Sequence, residues 1–248
     1  MSNLLNHAIE AETGTVILGE PTRNGIFWMP NPLNKQVFEQ GYALMNSYRV
    51  GTSAEEVATS LGTLLQSDFG YQITELIPTQ KEASTPNTYS GIYGCNQFPF
   101  HTDLAHWRTP PRYLMLRCIV GFHEVPTLLV DGLNLVHEVG KDILTRALVQ
   151  PRRPINGKLP LLRLYQPNDG NGLVRWDEVF FQPASKVGEL GVAQFHQALR
   201  TSIPLSIALT APGDTLIVDN WRMLHARAPV PIGCEARKLE RVYLESLN

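Results

Sequence analysis

The run Phe98-Pro-Phe-His101-Thr-Asp103-Leu-Ala-His106-Trp107 concentrates side chains able to do chemistry. In an extended segment successive side chains alternate faces, so His101 and Asp103 point the same way and Thr102 the opposite way. A neutral imidazole and a carboxylate on one face can share a metal ion. Alone, such a triplet is more often a partly exposed loop pair, and it needs a second component. The run from Ala211 through Asp219-Asn220-Trp221-Arg222 to His225-Ala-Arg227 supplies one: a turn, an apolar strand, then a polar tail ending near His225. His225 follows Asp103 by 122 residues, which excludes a local motif and suits two strands meeting across a barrel. Two imidazoles and one carboxylate on one face of an ion leave the opposite positions open, the arrangement of non-haem Fe(II) oxygenases.

A third component is Arg237-Lys-Leu-Glu-Arg241-Val-Tyr243. On a strand, the even spacing puts Arg237, Leu239, Arg241 and Tyr243 on one face and Lys238 and Glu240 on the other. Two guanidinium groups facing a cavity require acceptors, and Arg matches a carboxylate through a planar bidentate fork. An anionic ligand such as a dicarboxylate answers that demand.

The elements that must position these groups read as β-rich. Strand patterns fall at Thr15–Leu18, Ile26–Met29, Tyr42–Tyr48, Tyr71–Ile77, Thr88–Tyr93, Tyr113–Val120, Thr127–Val130, Leu161–Tyr165, Leu205–Leu209, Thr215–Asp219 and Leu239–Leu244. Leu33–Gln40 reads as a short helix. Ser53 with Glu56 forms a capping box ahead of a helix over 54–66, and helical patterns recur at Leu133–Val149 and Lys186–Arg200. The helices are too few for a parallel sheet with one helix per strand. The expectation is a β-rich α+β fold: a two-sheet jelly-roll barrel, able to hold a ligand inside, with helices packed outside it.

The 248 residues, with no repeat, low-complexity tract or linker, predict a single domain over 1–248. With 21 basic against 23 acidic residues and no clustered cations, the sequence provides no field for nucleic acid or anionic lipid, and a small-molecule partner is expected. Three dispersed cysteines, Cys95, Cys118 and Cys234, read as reduced, and the absence of an export signal or a long apolar run predicts a cytoplasmic protein with no membrane partner.

Taken together, His101-Thr102-Asp103, Pro110-Pro111-Arg112-Tyr113, Pro126-Thr127-Leu128, Pro212-Gly213-Asp214, Asp219-Asn220-Trp221-Arg222, His225-Ala-Arg227 and Arg237 to Arg241 resemble the taurine dioxygenase and clavaminate synthase-like branch of the Fe(II)/2-oxoglutarate-dependent oxygenases. The resemblance runs from about Gly41 to the C-terminus. It implies a double-stranded β-helix, cupin-like core, with His101, Asp103 and His225 as iron ligands and as the catalytic centre. It further implies that Thr127 and Arg237 hold the distal carboxylate of 2-oxoglutarate. Arg241 falls where the family has a second arginine, near the 1-carboxylate or the substrate. The implied cofactors are Fe(II), 2-oxoglutarate as co-substrate and O2. The implied reaction is hydroxylation of an unactivated C–H bond of a small polar or amino-acid-like substrate, releasing succinate and CO2. Desaturation, epimerisation or ring formation at the same site is the alternative, and a carboxylate-binding or metal-sensing barrel the reading from another class. Halogenating relatives have Gly or Ala in place of the carboxylate, so Asp103 points to oxygenation.

His106 reads as a neighbour on the substrate side rather than a ligand, and His7, His123, His137 and His196 lack partners at useful spacing. Tyr93, Trp107, Arg108, Arg175 and Trp176 are candidates to frame the pocket, with core packing or solvation as their equal alternative. Arg227 receives no role, an ion pair with Asp219 being as plausible as support of the site.

Overall fold

The computed structural model describes residues 32–66, 73–155, 157–168 and 170–248. The expected strands at Thr15–Leu18 and Ile26–Met29, and the start of the one at 71–77, lie outside these residues. The chain begins with helix α1 (Pro32–Gln40), strand β1 (Tyr42–Met45), helix α2 (Ala54–Leu61) and strands β2 (Gly62–Leu64) and β3 (Thr74–Leu76). Helix α3 (Tyr89–Tyr93), β4 (Tyr113–Val120), β5 (Thr127–Asp131), α4 (Gly132–Val139) and α5 (Lys141–Arg146) follow. Short strands β6 (Leu148–Pro151), β7 (Leu162–Arg163), β8 (Tyr165–Gln166), β9 (Leu173–Val174) and β10 (Phe181–Pro183) lead into α6 (Lys186–Thr201). The chain closes with β11 (Leu205–Ile207), β12 (Thr215–Asp219), β13 (Met223–Arg227) and β14 (Lys238–Leu247).

The result is a β-rich α+β fold built on antiparallel sheets. The larger sheet runs β1-β12-β4-β14-β2, with β3 also pairing to β14, and a smaller sheet runs β11-β5-β13. The two sheets face each other across a shared core. Leu114, Leu116 and Cys118 of β4, Leu216 and Val218 of β12 and Leu239 of β14 meet Leu129, Ile207 and Met223 of the smaller sheet. The alternate residues Met115, Ile217, Val242 and Leu244 turn outward and bury against Val37 of α1 and Ala54, Val57 and Leu61 of α2. On the far side of the smaller sheet, Val130 and Leu224 pack on a layer that includes Val136, Leu144, Trp176 and Phe195. Both faces of the sheets are therefore covered, which explains why β12 is buried at every position. Each large apolar side chain so enclosed contributes about 1.5–3 kcal/mol.

The capping box of α2 forms as expected: Ser53 Oγ accepts from Glu56 N at 3.2 Å, and Glu56 Oε2 accepts from Ser53 N at 3.2 Å. The helix ends at Leu61 rather than near 66, because Gly62 enters the sheet against β14. A Cβ at Gly62 would lie 1.9 Å from the Ser246 carbonyl oxygen, so only glycine allows that approach. The expected helix over 133–149 is divided at Gly140, whose φ of 106° no helix accommodates, and residues from Leu148 turn into β6. The segment Thr88–Tyr93, expected as a strand, is instead the short helix α3. Thr88 caps it by accepting from Gly91 N at 3.1 Å, and Gly94 ends it.

Candidate functional site

His101 and His225 are joined by their backbones. His101 N donates to His225 O at 3.0 Å and His225 N donates to His101 O at 2.9 Å, a closed rung of an antiparallel pair. Residues opposite each other on such a rung present their side chains to the same face. The two rings accordingly lie 4.5 Å apart between centroids. Asp103 is tethered differently: its N–H donates to Asn220 Oδ1 at 2.7 Å, and Asn220 Nδ2 donates back to Asp103 O at 3.0 Å and to Pro111 O at 2.9 Å. The chain reverses immediately afterwards, with Leu104 at a φ of 52°.

These two devices bring the ligand-type atoms together. Asp103 Oδ1 lies 3.4 Å from the Nε2 of His101 and 3.4 Å from the Nε2 of His225. One donor atom from each of the three residues lies within 4.8 Å of the others, and all three residues are buried. His101 Nδ1 lies 2.9 Å from Pro99 O, an acceptor, so the proton belongs on Nδ1 and the Nε2 lone pair is free. His225 Nδ1 is buried with no hydrogen-bond partner among the described residues. The ring of Tyr89 stacks on His101 at 4.4 Å between centroids, and its hydroxyl faces the Asp177 carboxylate without closing a hydrogen bond of standard geometry.

The electrostatics hold the carboxylate ionised. Burial would raise the Asp103 carboxyl, but Arg241, His225 and His101 together outweigh it and keep the group well below the usual range. Burial and the neighbouring His101 lower His225, favouring the neutral ring that binds metals. For His101, burial is overcome by Asp103 and the Pro99 carbonyl, and the ring is raised.

The triad opens onto a cavity of about 640 Å³, whose walls include Thr127, Arg227, Arg237 and Arg241, Thr74–Thr79 from β3 and the turn after it, Ala83–Thr85, and Thr88, Tyr89 and Ser90 at the start of α3. Arg237, Leu239, Arg241 and Tyr243 share the inner face, as their spacing predicts. Arg237 is buried, and burial followed by the nearby Arg227 charge pushes its guanidinium down to about 10. Among the described residues no carboxylate pairs with it. Thr127 is buried on β5, opposite Arg227 in register. Arg241 NH1 lies 3.2 Å from Asp103 Oδ2, and Tyr243 donates its hydroxyl hydrogen to the same oxygen at 2.8 Å.

His106 and Trp107 stand apart, on the wall of a different surface pocket with Arg108. Arg175 is buried and donates to the carbonyls of Ala105, Trp107 and Arg108, bracing the loop after the triplet, while Trp176 packs in the outer core. Tyr93 lines a separate pocket with Trp176 and Asp177. Arg227 does not pair with Asp219. It lies 3.7 Å over the Phe98 ring and donates to the carbonyls of Gly94 and Asn96. Sequence reasoning missed Tyr89, because it was placed on a strand; the Thr88 cap three residues before Gly91 was the available signal.

The family model for the taurine catabolism dioxygenase TauD, TfdA family matches residues 41–243, and the chain belongs to that family. It is 29% identical over 167 residues to clavaminate synthase 2 of Streptomyces clavuligerus, an alignment covering 59% of this chain and 49% of the relative. The chain thus spans about half the length of that curated relative. Its fold is similar to PvcB from Pseudomonas aeruginosa (TM-score 0.60, 17% identity, 86% of this chain and 78% of the other). It is also similar to asparagine oxygenase solved with Fe(II), 2S,3S-3-hydroxyasparagine and succinate (TM-score 0.56, 18% identity, 74% and 60%).

Proposed function

We propose that the chain is a cytoplasmic, single-domain Fe(II)- and 2-oxoglutarate-dependent dioxygenase that hydroxylates a small polar or amino-acid-like substrate, its two facing sheets forming a double-stranded β-helix. The observation carrying this reading is the convergence of His101 Nε2, His225 Nε2 and Asp103 Oδ1 at the wall of a cavity that also contains the buried Arg237, which no carboxylate of the described residues pairs. The donor set fits iron: two imidazoles and one ionised carboxylate from one side, with the cavity on the other.

His101, Asp103 and His225 would hold the ion. Bound iron, with O2 and 2-oxoglutarate, supplies oxidation of an unactivated C–H bond with release of succinate and CO2. Arg237 offers the fork of N–H donors that a terminal carboxylate accepts, and the Thr127 hydroxyl adds one donor from the facing sheet. Arg241 lies beside the metal ligands as a second cation of the cavity. Thr74–Thr79, which enters from β3 beside β14, and residues from Ala83 to Ser90 line the rest of the cavity, so they would screen the reacting centre from water and shape the space left for substrate. A substrate of amino-acid size fits the 640 Å³ beside a five-carbon dicarboxylate. Asparagine oxygenase, solved with a hydroxylated amino acid, supports the substrate class by likeness of fold. Desaturation, epimerisation or ring formation would need only a different substrate pose.

Anaerobic addition of Fe(II) and 2-oxoglutarate to the metal-free protein tests the reading. A visible metal-to-ligand charge-transfer band is expected, weakened in both His101→Ala and Arg237→Ala. A band retained by both variants at wild-type ligand concentrations overturns the assignment.

A further inference from the structure

The least expected contacts at the centre are those on the second oxygen of Asp103. Oδ1 faces the two imidazole nitrogens at 3.4 Å each. Oδ2 faces away from them and accepts from the Tyr243 hydroxyl at 2.8 Å and from Arg241 NH1 at 3.2 Å. Both donors come from the inner face of β14, two residues apart, and the Arg241 guanidinium lies 5.0 Å from the Tyr243 ring centroid, so the two are packed as a unit. Tyr243 also packs against the inter-sheet core, which limits the movement of its ring. Meanwhile the Asp103 backbone is fixed independently by Asn220. The carboxylate is thus restrained at its backbone and at one of its two oxygens.

We propose that Tyr243 and Arg241 are positioning residues that fasten Oδ2 of Asp103, so that the carboxylate presents one oxygen to the metal and cannot swing to present both. The inference rests on the proposed metal centre. A carboxylate free to rotate can bind an ion through two oxygens and occupy a position that the co-substrate or oxygen requires. Two charge-assisted hydrogen bonds to the outer oxygen oppose that rotation and also draw electron density from the ligating oxygen. Arg241 therefore has a use at the centre that requires no contact with substrate.

The test uses Co(II) alone as the probe on the full chain, because its visible ligand-field absorption reports the number and arrangement of donor atoms. Wild type, Tyr243→Phe and Arg241→Met are titrated with Co(II), and the melting temperature of each metal-free protein is recorded. Both variants are expected to bind Co(II) about 10- to 100-fold more weakly, with an absorption spectrum distinct from wild type at saturation. Tyr243→Phe keeps the ring and its packing and removes only the donor. If its affinity and saturated spectrum superimpose on wild type, the proposal is overturned, and a lowered melting temperature with an unchanged spectrum overturns it equally. Failure of the oxygenase reading shows separately, as a wild type that binds Co(II) yet develops no charge-transfer band with Fe(II) and 2-oxoglutarate.

Discussion

Two buried arginines on neighbouring strands of the larger sheet meet opposite fates. Arg117 on β4 points outward from the inter-sheet core, and both its terminal nitrogens are satisfied. It donates to the carbonyls of Tyr48, Arg49, Thr52 and Gly213 and to Thr215 Oγ1, tying the turn after β1 to the start of β12. Arg237, at the entry to β14, points inward to the cavity, and none of the described side chains neutralises it. Burying a guanidinium with no carboxylate beside it is costly, and the cavity that Arg237 faces leaves room for an anion to offset that cost. Arg117 ties the fold together, whereas Arg237 faces open space and fits the anion site proposed above.

The largest expected effect is on Arg237. Replacing it by Met removes one partner of a buried charge pair in the complex, a loss of about 2–5 kcal/mol, so half-saturating 2-oxoglutarate in the anaerobic titration should rise roughly 100-fold. The metal-free variant should melt no lower than wild type, because no intramolecular pair is broken. Arg117→Met should behave in the reverse manner. Chemical denaturation should show a loss of about 3 kcal/mol, or roughly 6–12 °C in melting temperature, with 2-oxoglutarate binding by the folded protein unaltered. A normal melting curve for Arg117→Met would break the distinction.

Thr127→Val tests a smaller contributor to the same proposed anion site. One hydrogen bond to a charged group is lost, and half-saturation should rise about tenfold or less, with stability near wild type. A buried acid extends the reasoning to the opposite charge. Burial raises the Asp219 carboxyl to about 6 against an ordinary 3.8, with Arg112 only partly opposing it. Since the folded state holds the proton more tightly, the stability of wild type relative to Asp219→Asn should fall as pH rises from 3.8 to about 6 and level off above that. A flat difference across that window, measured by denaturation in a pH series, would show that the Arg112 contact at 3.9 Å suffices to hold the charge.

Much of this arrangement was legible in the sequence because strands impose a period of two. The spans of β4 and β12 match their expected limits, and the alternation from Arg237 to Tyr243 placed both arginines on the cavity face correctly. The pairing of remote residues was less legible. Nothing in the order of residues states that Arg241 meets Asp103, since the partner is set by the register of β14 against β4 and by the pairing of His101 with His225 beside β13. Local strand propensity likewise misled at Thr88–Tyr93, where aromatic residues suggested a strand while a Thr cap and a terminal Gly closed one turn of helix. Tyr89 is consequently delivered to the face of His101 by an element that propensity alone did not indicate. Gly140 shows the same limit, because a helical apolar period continues across a residue whose backbone cannot.

The rung between His101 and His225 has a bearing on how the centre is assembled. The separation of the two imidazoles is dictated by interstrand spacing rather than by the reach of flexible side chains, so it exists as soon as the sheet closes. Little ordering entropy then remains to be lost when an ion arrives. A centre prepared in this way would release and recapture a metal without dismantling the sheets that carry it.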